Sequence, residues 1–158
     1  MSMLDKIAET LIQGRNNEVK VLVEEALANG LTPAAIVNDG LLAGMSVVGE
    51  RFKNDDIYVP EVMMAARAMK AGAEVLKPLL AAAGIQPKGT VVMGTVRGDL
   101  HDIGKNLVCM MLEGAGFRVV DAGINVDPEV MLQLAVKNNA ALIGASALLT
   151  TTMSNMKG

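Results

Sequence analysis

The residues able to do chemistry gather in one stretch, Gly94-Thr95-Val96-Arg97-Gly98-Asp99-Leu100-His101-Asp102-Ile103-Gly104-Lys105-Asn106, which holds the only histidine of the chain. Imidazole ligates late first-row metals well, and a ligating histidine usually gives its other ring N–H to a carboxylate that fixes the tautomer. Asp99, two residues before His101, can supply that carboxylate. Gly98 and Gly104 let the backbone pass close to a bulky ligand, since neither carries a Cβ. One histidine is too few for an all-protein zinc site, and Cys109 makes no recognisable metal pair with it. A metal held by His101 therefore needs a cofactor that brings the remaining ligands, as a tetrapyrrole-like ring does.

Other chemistries fit this loop less well. A phosphate loop requires Gly, four residues, Gly-Lys and then Ser or Thr, whereas five residues separate Gly98 from Gly104 and Asn106 stands at the hydroxyl position. The dinucleotide fingerprint G-x-G-x-x-G is absent. A lone histidine satisfied by Asp99 in an ordinary loop stays open on the residues alone.

The elements that must position this loop fall into two halves. From Met3 to about Ala83 apolar residues recur at helical spacing, as in Leu4, Ile7, Ala8, Leu11, Ile12 and in Val19, Leu22, Val23, Ala26, Leu27. Asn29-Gly30 ends the second helix, Thr32-Pro33 reads as an N-cap with proline behind it, and the third helix runs to about Phe52. The polar run Lys53 to Asp56 breaks it and Pro60 opens a fourth helix, which predicts a four-helix bundle over residues 1–84. Residues 85–89, with Pro87 and Gly89, read as a linker. Over 90–158 the pattern alternates: a strand Thr90 to Val96, a helix from about Ile103 to Glu113, a strand Arg118 to Asp121, a helix opened by Asp127-Pro128, and an apolar run Ala141 to Ala147. This is an α/β pattern with buried apolar strands in a parallel, doubly wound, flavodoxin-like sheet. In strand order 2-1-3 the loops after strands one and three meet at the carboxyl edge, bringing Asp99, His101 and Gly104 towards Ser146, Leu148 and Thr150. With three strands countable, the domain is expected to lack its C-terminal part, and a free third strand would be an edge able to pair with a second copy.

Composition narrows the function classes. A hydrophobic content of 51% argues for a buried core, and a net charge of -3 lacks the basic footprint of a nucleic-acid binder. Aromatics make up only 2% against 12 methionines, so base stacking is disfavoured and any cofactor surface must be aliphatic. A single cysteine forms no internal disulfide, and no apolar stretch approaches the roughly 20 residues of a membrane span. A cytoplasmic chain whose partners are proteins or small molecules is expected.

The pattern Asp99-x-His101-x-x-Gly104, followed after residues 105 to 145 by Ser146-x-Leu148, resembles the cobalamin-binding motif of methyltransferase corrinoid proteins and of the cobalamin module of methionine synthase. The helical half is similar too: Gly44, Val48, Gly49, Phe52, Pro60, Ala65, Ala66 and Met69 match the family's helical cap. The resemblance implies a cobalamin or related corrinoid with cobalt, bound with its own lower base displaced and His101 as the lower axial ligand. It implies roles in binding for Gly98, Asp102, Ile103, Gly104, Leu148 and Thr150, an apolar lid including Tyr58, Met63 and Met64, and a hydrogen-bond relay from His101 through Asp99 to Ser146 or a nearby threonine, Thr152. The family's Gly-Gly pair for the nucleotide tail lies beyond this sequence. The implied function is a methyl carrier between a substrate-specific and an acceptor methyltransferase, with a reductive activator as third partner and the 85–89 linker as hinge. A cobalamin-dependent sensor is the alternative; no basic DNA-binding module accompanies it here.

Overall fold

The computed structural model describes residues 1–157, which divide into two compact units, Met1–Gln86 and Pro87 onward. The first unit is helical: α1 (Met3–Ile12), α2 (Asn16–Ala28), α3 (Pro33–Ala35), a π-helical segment Ile36–Leu42, α4 (Ala43–Lys53) and α5 (Val59–Ala82). Capping explains the starts. Ser2 accepts Asp5 N–H while the Asp5 carboxylate accepts Ser2 N–H, and Thr32 Oγ1 accepts Ala35 N–H ahead of Pro33. At α5 the Glu61 carboxylate reaches back to Tyr58 N–H, so the helix opens at Val59, one residue before Pro60.

Because α3, the π segment and α4 follow without a break, the unit contains four helical rods, as the periodicity predicts. The third rod is not regular, however. Ala43 N–H reaches the carbonyl of Asn38, five residues back, and apolar spacing carries no signature of that widened turn. Ile7, Leu11, Val19, Val23, Ile36, Leu41, Val48, Val62 and Leu76 are fully or almost fully buried and form the bundle core. Gly44 lets two rods touch: a Cβ there would stand 3.0 Å from the Ala8 carbonyl oxygen. Among the described residues no helix is long and apolar enough to cross a membrane.

The second unit is a three-stranded parallel sheet of order β2-β1-β3, built from β1 (Thr90–Val96), β2 (Arg118–Val126) and β3 (Leu142–Ser146). Helices α6 (Ile103–Gly114) and α7 (Pro128–Lys137) connect them. The side-chain alternation of β1 feeds two cores: Val91 and Met93 pack with Cys109 of α6, whereas Val92 packs with Val126 and with Met131 and Ala135 of α7. The helices thus cover opposite faces, the doubly wound arrangement expected from alternating elements. A short helix α8 (Thr150–Met153) and a 3-10 turn Ser154–Met156 follow β3.

Two expectations about the strands need correction. Only β1 is buried along its length; the outer strands have one neighbour each, and Leu142 and Ile143 of β3 are about half exposed. The second strand does not stop at Asp121 but continues to Val126 through two bulges, since Met93 pairs with Asp121 and Gly94 with Gly123, and then Val96 pairs with Val126. Each bulge adds one residue on β2.

The bulged end is pinned to α6. Lys105, 2% exposed, donates to Asp121 Oδ2 at 2.6 Å and to Asn106 Oδ1 at 2.7 Å, and Asp121 Oδ1 accepts Gly123 N–H at 2.9 Å. Burial pushes the Asp121 carboxyl up, but the Lys105 and Gly123 hydrogen bonds with the Lys105 charge bring it below its ordinary value. The partners are unequally placed, because Asp121 is about half exposed while the ammonium is enclosed. Asp121→Asn strands a buried charge and is expected to cost about 2 kcal/mol or more, whereas Lys105→Met leaves a carboxylate that water can solvate and costs less. Urea unfolding of both variants checks that order.

Candidate functional site

At the carboxyl end of β1 the chain turns through Gly98, whose φ of 80° favours glycine, and drops Asp99 into the interior at 0% exposure. The Asp99 backbone is held by its N–H to Val96 O and by Asn125 N–H to its carbonyl, each at 3.0 Å. Both carboxylate oxygens are saturated with donors. Oδ1 accepts His101 N–H at 2.9 Å and lies 2.7 Å from His101 Nδ1; Oδ2 accepts Thr152 Oγ1–H at 2.6 Å and Leu148 N–H at 2.9 Å, with Leu149 N–H further off at 3.4 Å.

The Thr152 hydroxyl bond first, and the backbone bond from His101 next, hold the Asp99 carboxyl far below the usual carboxylate range, outweighing the opposing effect of burial. Asp99 is therefore an acceptor only, so the proton of the short contact sits on His101 Nδ1. In the neutral imidazole this leaves the lone pair on Nε2, on a side chain that is 51% exposed. Thr95, buried in β1, donates its hydroxyl to the His101 carbonyl at 3.0 Å and ties down the far end of the turn.

Large apolar side chains crowd this carboxyl edge in contact with solvent. Leu100, Ile103 and Leu148 are each about two-thirds exposed or more, and Ile124 and Leu149 are also exposed. A Cβ at Gly104 would meet nothing within 4 Å. Among the described residues no group of three or more His, Cys, Asp or Glu side chains could hold a metal ion. An oriented imidazole with a free lone pair, open space at Gly104 and an aliphatic rim fit a large, mostly apolar ring that carries its own metal, better than a bare ion.

The structure thus brings together Gly98, Asp99, His101, Asp102, Ile103 and Gly104 from the first loop with Leu148 and Thr152 from the segment after β3. Asp102 accepts Asn106 Nδ2–H at 3.1 Å, and Thr150 is exposed at the start of α8. Of the two hydroxyls offered for the relay, Thr152 is the one on Asp99; Ser146 is the last residue of β3, opposite Thr95 in register. The chain must turn after β3 before a side chain can reach back to Asp99. Tyr58, Met63 and Met64 belong to the first unit, at the start of α5, where Tyr58 is exposed, Met63 half-buried and Met64 packed against Gly14. Sequence reasoning missed Thr95, Asn125 and Asn155, the last donating to Arg97 O at 2.7 Å. Thr95 had a signal, a polar residue set between the apolar residues near the end of the strand.

Comparison with known proteins bears on this site. Two family models match, each described as a B12 binding domain, one over residues 3–77 and the other over 89–158. A corrinoid protein of Desulfitobacterium hafniense is 41% identical over 99% of this chain and 74% of its own length. The dimethylamine corrinoid protein of Methanosarcina barkeri is 43% identical over 98% of this chain and 73% of its own. The solved methanol:cobalamin methyltransferase complex of Methanosarcina barkeri contains a chain that matches with a TM-score of 0.91 at 36% identity, covering 98% of this chain and 60% of that one.

The depressed Asp99 carboxyl gives a signed pH dependence. Its stabilisation is fully present above the unfolded carboxylate value of about 4 and is lost as pH falls towards the lower folded value. The stability difference between the cofactor-free wild type and Asp99→Asn is therefore expected to shrink as pH falls below about 4. Urea unfolding of both chains across that range checks it, and Thr152→Ala should weaken the trend.

Proposed function

Because the chain belongs to the family of corrinoid proteins with B12 binding domains, we propose that it is a methyl carrier whose cofactor is ligated from below by His101 and whose methyl group passes between two partner methyltransferases. The observation that carries this reading is the 2.7 Å contact between His101 Nδ1 and a buried, ionised Asp99, which places the Nδ1 proton on the carboxylate side and leaves Nε2 as the ring nitrogen turned to a metal. When bound, the corrinoid supplies a cobalt centre that accepts a methyl group from one reactant and gives it to another.

The chain's own residues then have defined tasks. His101 offers Nε2 to the metal, while Asp99 holds its ring through Nδ1 and stabilises positive charge on the imidazole. Thr152 and the Leu148 N–H keep Asp99 ionised throughout, so the carboxylate never competes for the Nδ1 proton. Leu100, Ile103 and Leu148 supply aliphatic surface, and Gly98 and Gly104 leave room beside it. We assign the helical unit, with Tyr58 and Met63, the gating role that the resemblance implies, residues 85–89 the hinge, and a reductive activator the part of a third partner.

The test is the visible spectrum of the chain loaded with methylcobalamin and freed of unbound cofactor, for wild type and His101→Ala. Wild type is expected to retain the cofactor with its own base off and histidine on, and His101→Ala to lose the histidine-on spectrum. Indistinguishable spectra, or no retained cofactor in the wild type, would contradict the assignment.

A further inference from the structure

Asn125 lies outside every motif residue considered above, in the second bulge of β2, with a φ of 52° in the left-handed region that asparagine tolerates better than most side chains. From there it grips the β1 loop twice. Its Oδ1 accepts Gly98 N–H at 2.8 Å, and its own N–H donates to the Asp99 carbonyl at 3.0 Å. Gly98 has no side chain with which to fix its own φ of 80°, so the peptide entering Gly98 is oriented by this acceptor on its N–H and by Asn155 Nδ2–H on its carbonyl, Arg97 O, at 2.7 Å. Asp99 in turn sets the imidazole, because the His101 N–H and ring Nδ1 both meet its Oδ1.

The first bulge of β2, immediately before the one that presents Asn125, is itself anchored: Asp121 binds the enclosed Lys105 through one oxygen and Gly123 N–H through the other. Hydrogen bonds from Lys105 to Asp121 and from Asp121 to Gly123, two residues of β2 backbone, and the Asn125 bonds to Gly98 and Asp99 therefore connect the enclosed ammonium to the ring of His101. We propose that Asn125 is a positioning residue that sets how readily His101 presents Nε2 to the cobalt, and so the ratio of histidine-bound to histidine-free cofactor. This rests on the ligation reading above.

The test uses the full chain loaded with methylcobalamin, in wild type, Asn125→Gly and Asn125→Asp. Glycine keeps the left-handed backbone free of strain but deletes the acceptor; aspartate keeps an acceptor and accepts the same φ. Read over a temperature range where both forms are populated, the on/off ratio is expected to fall about fivefold in Asn125→Gly, the factor given by one net hydrogen bond of about 1 kcal/mol. Asn125→Asp is expected to restore it. In the cofactor-free chains, Gly98 amide exchange should be protected in wild type, faster in Asn125→Gly, and slow again in Asn125→Asp. A role confined to stability would lower the unfolding temperature without moving the ratio among folded molecules.

An unchanged ratio in Asn125→Gly, an aspartate variant that behaves like the glycine one, or an unprotected Gly98 amide in wild type overturns the proposal. The amide measurement needs no variant to fold. A wild-type chain that retains cofactor without histidine ligation, or retains none, overturns the ligation reading and this proposal with it, and that control is read before any variant is compared.

Discussion

A carboxylate removed from water must find its hydration replaced inside the protein, and Asp99 is this chain's clearest case. Its donors come from three places in the fold: His101 on its own loop, the Leu148 and Leu149 amides after β3, and Thr152 at the start of the last helical turns. One side chain thus joins the β1 loop to the segment after β3. Because those donors keep it ionised, the hydrogen-bond direction to His101 is settled, and with it the ring nitrogen available to a metal.

The strand order makes this junction reachable. With β1 central, its carboxyl-end loop is flanked on one side by the bulged end of β2 and on the other by the exit from β3, the position at which open α/β sheets bind ligands. Each flank does a different job. The β2 side contributes the Lys105–Asp121 pair and the Asn125 bonds, which fix backbone; the β3 side contributes the donors that satisfy charge. The exposed aliphatic side chains around the edge are a feature that soluble surfaces seldom gather in one place, and they accord with membership of a B12-binding family.

Much of this was legible in the sequence, for identifiable reasons. The bundle showed because apolar residues such as Leu4, Ile7 and Leu11 repeat at helical spacing, and its starts showed because Thr32-Pro33 and Pro60 carry capping chemistry. The strand Thr90 to Val96 was legible to the residue, being a β-rich, mostly apolar run bounded by Gly89 and Arg97. Asp99 and His101 stood out as a carboxylate and imidazole two positions apart. What stayed hidden was geometry without a compositional mark. The π segment within the third rod is made of ordinary helix residues, and the bulges that carry β2 to Val126 depend on pairing with Gly94 and Val96. Thr152, named with Ser146 as a relay candidate, reaches Asp99, 53 positions away, because the chain doubles back after β3, a turn that the motif spacing does not display.

His101 is the only histidine, so producing the chain on ¹⁵N-histidine labels a single side chain. The electron paramagnetic resonance spectrum of the chain loaded with one-electron-reduced cobalamin then reports its axial ligand directly, since an axial ¹⁴N splits each cobalt line into a triplet and ¹⁵N into a doublet. Triplets in the unlabelled chain that become doublets on labelling are the predicted result. Triplets that survive labelling, or lines with no nitrogen splitting, would show that the network around Asp99 does not deliver His101 to the cobalt.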